Sequence, residues 1–224
     1  MAYKQAVFAS GEFYHVFNRG VEKRTTFLDK RYYERFIETL NFYKNRDPKT
    51  RFSFRNRLQK NNESENPLVE IVAFCLMPNH FHLLLKQVEE KGITTFLSKV
   101  TNSYTKYFNT KQNRVGPLFQ GSFKAVRVED DEQLIHLTRY IHLNPLIDYL
   151  VKNLNNYPYS SYNQYLGSQP GICQTDQIMN FFKNPSSLEN FTLDQEEYGR
   201  SIKKLERLKI DEDVSAQFTW KVST

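Results

Sequence analysis

Two histidines one residue apart, His80 and His82, stand inside the apolar, strand-like run Met77-Pro78-Asn79-His80-Phe81-His82-Leu83-Leu84-Leu85. Alternate side chains of a strand share a face, so both imidazoles point the same way, about 7 Å apart at the backbone, while Phe81 turns to the opposite side and into a core. Two neutral imidazoles on a rigid surface make half of a divalent-metal site. Histidine pairs on half-buried strands also serve as hydrogen-bonded structural residues, and this motif alone leaves both readings open.

A second motif lies in Glu129-Asp130-Asp131-Glu132-Gln133-Leu134-Ile135-His136-Leu137-Thr138-Arg139-Tyr140-Ile141-His142-Leu143-Asn144-Pro145. Leu134, Leu137 and Ile141 fall at i, i+3, i+7 and define the buried side of a helix. The acidic first turn suits a helix N-terminus, and Pro145 is expected to mark the end. His136, Tyr140 and Asn144 form an i, i+4, i+8 stripe beside that apolar side, so a phenol and a carboxamide stand one turn apart next to the core seam. By itself, a Tyr-x-x-x-Asn pair reads more simply as a packing tyrosine with a capping asparagine.

Taken together the chain resembles the His-hydrophobe-His tyrosine transposases of the IS200 type, and especially their REP-associated branch. The likeness is carried by Tyr14-His15-Val16-Phe17-Asn18-Arg19-Gly20, then Met77-Pro78-Asn79-His80-Phe81-His82, then Gly116-Pro117-Leu118-Phe119-Gln120-Gly121-Ser122-Phe123-Lys124, then Tyr140-Ile141-His142-Leu143-Asn144-Pro145, and last Tyr159-Ser160-Ser161-Tyr162. These blocks run in the family's order over about residues 12 to 166. The resemblance implies a metal-dependent single-strand DNA endonuclease and strand transferase acting at hairpin-bearing ends. It also implies that Tyr140 attacks the phosphorus, becomes 5′-phosphotyrosyl and frees a 3′-hydroxyl, which another strand's 3′-hydroxyl can reverse without ATP.

A divalent ion on a nonbridging oxygen withdraws phosphodiester charge and aligns the group for in-line displacement. His80 and His82 are the expected metal ligands. Members of the family often carry glutamine one turn after the tyrosine as a third ligand; here Asn144 takes that place, as in the REP-associated branch, and its shorter amide must approach more closely. Nitrogen with oxygen ligation suits magnesium or manganese, with zinc also compatible with the residue types. A phenol ionises near pH 10, so Tyr140 needs a neighbouring base or cation to favour its anion.

Composition permits this chemistry without demanding it. Lysine plus arginine exceed the acidic residues by 31 to 25, giving a net charge of +6 and a pI near 9.1, which favours a polyanionic partner. The two cysteines, Cys75 and Cys173, suggest neither a disulfide framework nor a thiolate zinc site. The longest wholly apolar run, Ile71 to Met77, is far short of a membrane span, and no signal-peptide core is apparent, so a prokaryotic cytoplasm is the expected setting. For DNA the candidates are Lys106, Arg114, Lys124 and Arg127, spread over a helix, the following loop and a strand with Lys99 and Lys111, together with Arg19. Tyr104, Tyr107, Phe108 and Phe119 are interleaved with them, although Tyr104 and Phe108 also fit an aromatic core. Gly116 and Gly121 suit a loop whose backbone lies close to a partner.

The elements that must position these residues read as α+β. Strands are expected over Phe13 to Phe17, Val69 to Leu76, the histidine run and Phe123 to Val128; helices over Asp29 to Lys44, Ile93 to Phe108 and the tyrosine segment; residues 45 to 66 read as a polar surface loop. The order βαββαβ plus a catalytic helix is that of a ferredoxin-like (RRM-like) antiparallel sheet, in which the first and third strands are central neighbours. His15 would then lie beside the histidine pair as a third nitrogen, a DNA contact or a structural residue. His142 turns away from the tyrosine stripe and reads as structural or solvent-facing. Residues 1–166 form the expected catalytic domain and 167–224 a helical extension, with short helices from Ile172 to Phe182 and Leu193 to Leu208. The Asn-Pro ending tilts towards a monomer over a homodimer. A nucleic-acid-binding protein of the same fold that does not cut, and a metal-dependent hydrolase without a covalent intermediate, are the alternatives.

Overall fold

The computed structural model describes residues 7–46, 66–197, 199 and 200. Four antiparallel strands, β1 (Phe13–Arg19), β2 (Val69–Met77), β3 (His80–Gln87) and β4 (Lys124–Arg127), form one sheet in the order β2-β3-β1-β4. This is the ferredoxin-like order, with β1 and β3 in the middle. Helices α1 (Lys30–Tyr43) and α2 (Gly92–Lys111) cover one face. Asp29 caps α1 through the Arg31 N–H at 2.8 Å. Between sheet and helices lies a core of Tyr14 and Val16 from β1, Phe81, Leu83 and Leu85 from β3, Phe36 and Leu40 from α1, and Phe96, Val100 and Tyr104 from α2.

The other face belongs to α3 (Asp131–Ile147), which packs over β2 and beside β3. Leu134 and Ile141 meet Val72, Ala73, Cys75, Met77 and Leu84 there. A β-bulge between Ile71 and Ala73 shifts the alternation of β2, and the strand is buried on both faces, Ile71, Phe74 and Leu76 against α1 and α2 and Val72, Ala73, Cys75 and Met77 against α3. Helix α3 does not stop at Pro145: it runs to Ile147 and is closed by the Asp148 N–H on the Asn144 and Leu146 carbonyls. Proline in the last turn removes one backbone donor, and the hydrogen bonds that follow carry the chain through another two residues.

The sheet's second edge is also used. Leu76 N–H donates to the Tyr159 carbonyl, Ser161 N–H to the Phe74 carbonyl, and Cys75 bridges Ser160, so the Tyr159-Ser160-Ser161-Tyr162 block pairs with the open side of β2. Among the described residues the chain continues through the short helices α4 (Tyr162–Tyr165), α5 (Asp176–Met179) and α6 (Pro185–Leu193), and α6 opens with an Asn184/Ser187 capping box. Tyr165, Ile178 and Leu188 share the core of α3, so the described part of the extension is built onto the sheet-and-helix unit. Most of the loop expected over residues 45 to 66, and the segment 201–208 of the expected last helix, lie outside the described residues. Among the described residues no helix is long and apolar enough to cross a membrane.

Candidate active site

The β2–β3 hairpin turns through Pro78 and Asn79, with Met77 opposite His80. The turn is fixed from outside: the Thr26 and Phe27 N–H groups donate to the Pro78 carbonyl, Gly20 N–H to the Asn79 carbonyl, and the Asn79 amide to the Lys23 carbonyl. Gly20 itself has no room for a side chain, since a Cβ there would lie 2.3 Å from the Arg24 carbonyl oxygen. The position of His80 is therefore set by the backbone on both sides of it.

Register decides what surrounds the histidines. Directly opposite residues of antiparallel strands share a face, and here Arg19 stands opposite His80, Phe17 opposite His82, and His15 opposite Leu84, while Lys124 and Val126 of β4 stand opposite Phe17 and His15. The face turned towards α3 thus carries His15, Phe17, Arg19, His80, His82, Lys124 and Val126. His15 Nε2 lies 3.0 Å from His82 Nδ1, and their rings are nearly parallel with centroids 5.2 Å apart. His80 Nδ1 lies 2.7 Å from Asn79 Oδ1, and the two rings of the pair are 5.0 Å apart and nearly perpendicular.

Helix α3 brings Tyr140 to this group. Its ring centroid is 5.5 Å from that of His82 and 6.1 Å from that of His15, edge-on to both. One turn later Asn144 is buried and donates its amide to the Tyr140 carbonyl at 2.8 Å, so Oδ1 is the atom it could offer as a ligand. Of the alternatives for His15, its contact with His82 fits a structural residue beside the pair. Desolvation pushes its pKa down to about 4, so at neutral pH it is an uncharged imidazole with one donor and one acceptor nitrogen.

The donor set fits a divalent ion. Each histidine of the pair has its Nδ1 engaged, His80 by a carboxamide oxygen and His82 by a neighbouring imidazole, an arrangement that would fix each ring and let it offer Nε2 to an ion. Among the described residues no group of three or more His, Cys, Asp or Glu side chains could hold a metal, and the Asn144 amide oxygen is a donor of another type one turn after Tyr140. His80, His82 and Asn144 would hold the ion.

Other candidates are placed elsewhere. Arg127 stands opposite the core residue Tyr14, on the α1–α2 side, and pairs with Glu12 at 2.9 Å. Arg114 braces its own loop, donating to Asn109 Oδ1 at 2.5 Å and to the Pro117 carbonyl at 2.9 Å. Lys106 lines an outer groove of α1 and α2 with Arg35, Lys99 and Lys111. Arg19 and Lys124 alone of the five basic candidates share the histidine face. Gly116 and Gly121 adopt φ of +90° and +58°, a backbone that glycine favours, and turn a loop tied to β1 by Val21 N–H to Leu118 carbonyl and Gln120 N–H to Arg19 carbonyl.

Tyr104 and Phe119 are core residues: the Tyr104 hydroxyl donates to the Thr26 carbonyl at 2.7 Å, and burial pushes its pKa far up. His142 is fully buried, with Nε2 2.9 Å from Ser161 Oγ, which makes it structural and rules out the solvent-facing reading. His136 is held at 2.5 Å from the Arg139 guanidinium, away from the pair, and desolvation lowers its pKa. Asn79 was not singled out as a functional residue by sequence; its signal was its place in a two-residue turn directly before a candidate ligand.

A ferredoxin-like sheet that presents a histidine pair to a tyrosine on a packed helix defines the class of protein. Residues 14–144, more than half of the chain, match the family described as IS200-like transposases, and the chain belongs to that family. A putative REP-associated tyrosine transposase of Haemophilus influenzae is 28% identical over 107 residues, which span 42% of this chain and 60% of that relative. A REP-associated tyrosine transposase solved bound to a REP hairpin has the same fold, with a TM-score of 0.54 at 17% identity over 76% of this chain and 89% of that one. A putative transposase from Deinococcus radiodurans R1 aligns with a TM-score of 0.35 at 15% identity, over 62% of this chain and 94% of that one.

Proposed function

We propose that this chain is a metal-dependent endonuclease and strand transferase for single-stranded DNA, acting at hairpin-bearing ends through a covalent tyrosine intermediate. The observation that carries the reading is the packing of Tyr140 edge-on to His82 and His15, on the one face that also holds His80, Arg19 and Lys124. The solved relative bound to a REP hairpin supports hairpin DNA as the substrate class.

Bound at His80, His82 and Asn144, magnesium or manganese would supply charge neutralisation at a nonbridging phosphate oxygen. The protein's part is placement. Arg19 and Lys124 attract the phosphate backbone to the histidine face. His15 and Asn79 hold the two imidazoles in register, and α3 carries the phenol to them from the other layer. In the transfer, a bond forms between Tyr140 Oη and phosphorus, the bond from phosphorus to the 3′ oxygen breaks, and the proton lost by the phenol is balanced by the one gained at the 3′-hydroxyl. The reading takes the protein to act as a monomer in the cytoplasm, with the histidines and the tyrosine of one chain meeting as they do here.

The test is a denaturing gel of the full chain incubated with manganese and a labelled hairpin carrying single-stranded flanks. A covalent adduct is expected with the unaltered protein and with Tyr104→Phe, and none with Tyr140→Phe, which keeps the ring and its packing. An adduct that survives Tyr140→Phe overturns the assignment, and no adduct with any variant overturns the covalent mechanism.

A further inference from the structure

The site described above uses only part of the histidine face. Helix α3 lies over β2 and beside β3, and beyond it the same face continues across β1 to the edge strand β4. In the middle of this open half stands Phe17. It is half-buried, whereas its neighbours Val16 and Asn18, which turn to the α1–α2 side, are buried. Its ring is 4.9 Å from His15 and 6.0 Å from His82. Exposed Lys124 stands directly opposite it on β4, and exposed Arg19 follows two residues along β1 on the same face. Val126, 51% exposed, continues the surface at the edge.

A half-exposed aromatic ring with one cation across the strand pair and another along its own strand is poorly suited to a wholly apolar partner. It is well suited to an unpaired nucleotide, whose base needs a π-face and whose phosphates need positive charge. A duplex base, already stacked on both sides, has no face to give it. We infer that Phe17 is the stacking platform for the unpaired base next to the scissile phosphate, with Arg19 and Lys124 holding neighbouring phosphates. Phe17 lies across the strand pair from His82, so a base resting on it puts its own phosphate at the edge of the histidine pair. This inference rests on the reading of the chain as a single-strand DNA enzyme and assigns a positioning and specificity-determining role to a residue outside the proposed metal ligands.

The experiment measures binding by the full-length chain to a labelled oligodeoxythymidine and to an abasic oligomer of the same length, which keeps sugars and phosphates but offers no base. Aromatic stacking platforms contribute about 1–3 kcal/mol per base, so Phe17→Ala should weaken oligodeoxythymidine binding about 5-fold or more and leave the abasic oligomer unchanged. Phe17→Leu, which keeps apolar bulk and guards against loss of folding, should behave like alanine, and Phe17→Trp should bind at least as well as the unaltered chain. Equal weakening of both oligomers, or no weakening of either, overturns the inference while adduct formation at Tyr140 still stands. Failure of the unaltered chain to bind oligodeoxythymidine also overturns the inference, while the functional reading stands or falls separately on adduct formation with the hairpin.

Discussion

Replacing His15 with alanine tests how the histidine pair is held. The His15 ring accepts or donates one hydrogen bond, 3.0 Å long, at His82 Nδ1. When the proton of that bond sits on His82, His82 Nε2 keeps the lone pair that a metal requires. A neutral hydrogen bond of this kind contributes about 0.5–1.5 kcal/mol, and one polarised by a cation on the same ring about twice that. The loss on His15→Ala is therefore about 1–3 kcal/mol, and most of it should appear as weaker metal binding, about 10- to 100-fold, the range found when an orienting partner of a ligating histidine is removed. The assay is the manganese concentration that half-saturates adduct formation, with calorimetric manganese binding to Tyr140→Phe and to the His15→Ala/Tyr140→Phe double variant as an independent reading. His15→Gln, whose amide oxygen can accept from His82, should recover part of the difference. An unchanged manganese requirement together with a lower maximal rate would refute the reasoning, because it would mean that His15 acts on Tyr140, whose ring it also touches, and not on the metal ligand.

Changing both His80 and His82 to alanine should abolish adduct formation and largely spare hairpin binding in a gel-shift assay, since contacts to phosphates and bases outnumber those made through one ion; equal loss of both would count against a metal role. Asn144→Ala should raise the manganese requirement and recover partly at high manganese; indifference to manganese would mean that its amide serves only the Tyr140 carbonyl. Ser161→Ala should lower stability by about 2–4 kcal/mol, or on the order of 5–15 °C in calorimetric Tm, because it strands the buried His142 Nε2 and the Phe74 N–H that meet its hydroxyl at 2.9 and 3.0 Å. A smaller shift than 1 °C would show that water replaces the hydroxyl.

What could be read from sequence follows physical range. The common face of His80 and His82 is a property of three consecutive residues and survives in the sheet, as does the Asp29 cap, which needs only the next two residues. The place of His15 depends on a pairing between segments 67 residues apart. Strand order could bring it to the neighbourhood, but only the register, Phe17 opposite His82, could decide that it would reach His82 and not solvent. The Ser161–His142 contact and the docking of the Tyr159–Tyr162 block on β2 are likewise long-range, with no local pattern to announce them.

Charge was the least legible property, for a geometric reason. Lys124 and Arg127 are three positions apart on β4, an odd separation, so they leave the strand on opposite faces: one joins the histidines and the other pairs with Glu12. Lys106, on α2, belongs to a layer that the whole sheet separates from Tyr140. A basic composition thus divides into unlike surfaces once folded. The cations that can act with the tyrosine are those that the β1–β3 and β1–β4 registers align with His80 and Phe17. On this view the β1 register does more than support the sheet: it lines up Arg19 with His80, Phe17 with His82 and Lys124 with Phe17, and a one-residue slip would turn all of β1's contribution into the opposite core.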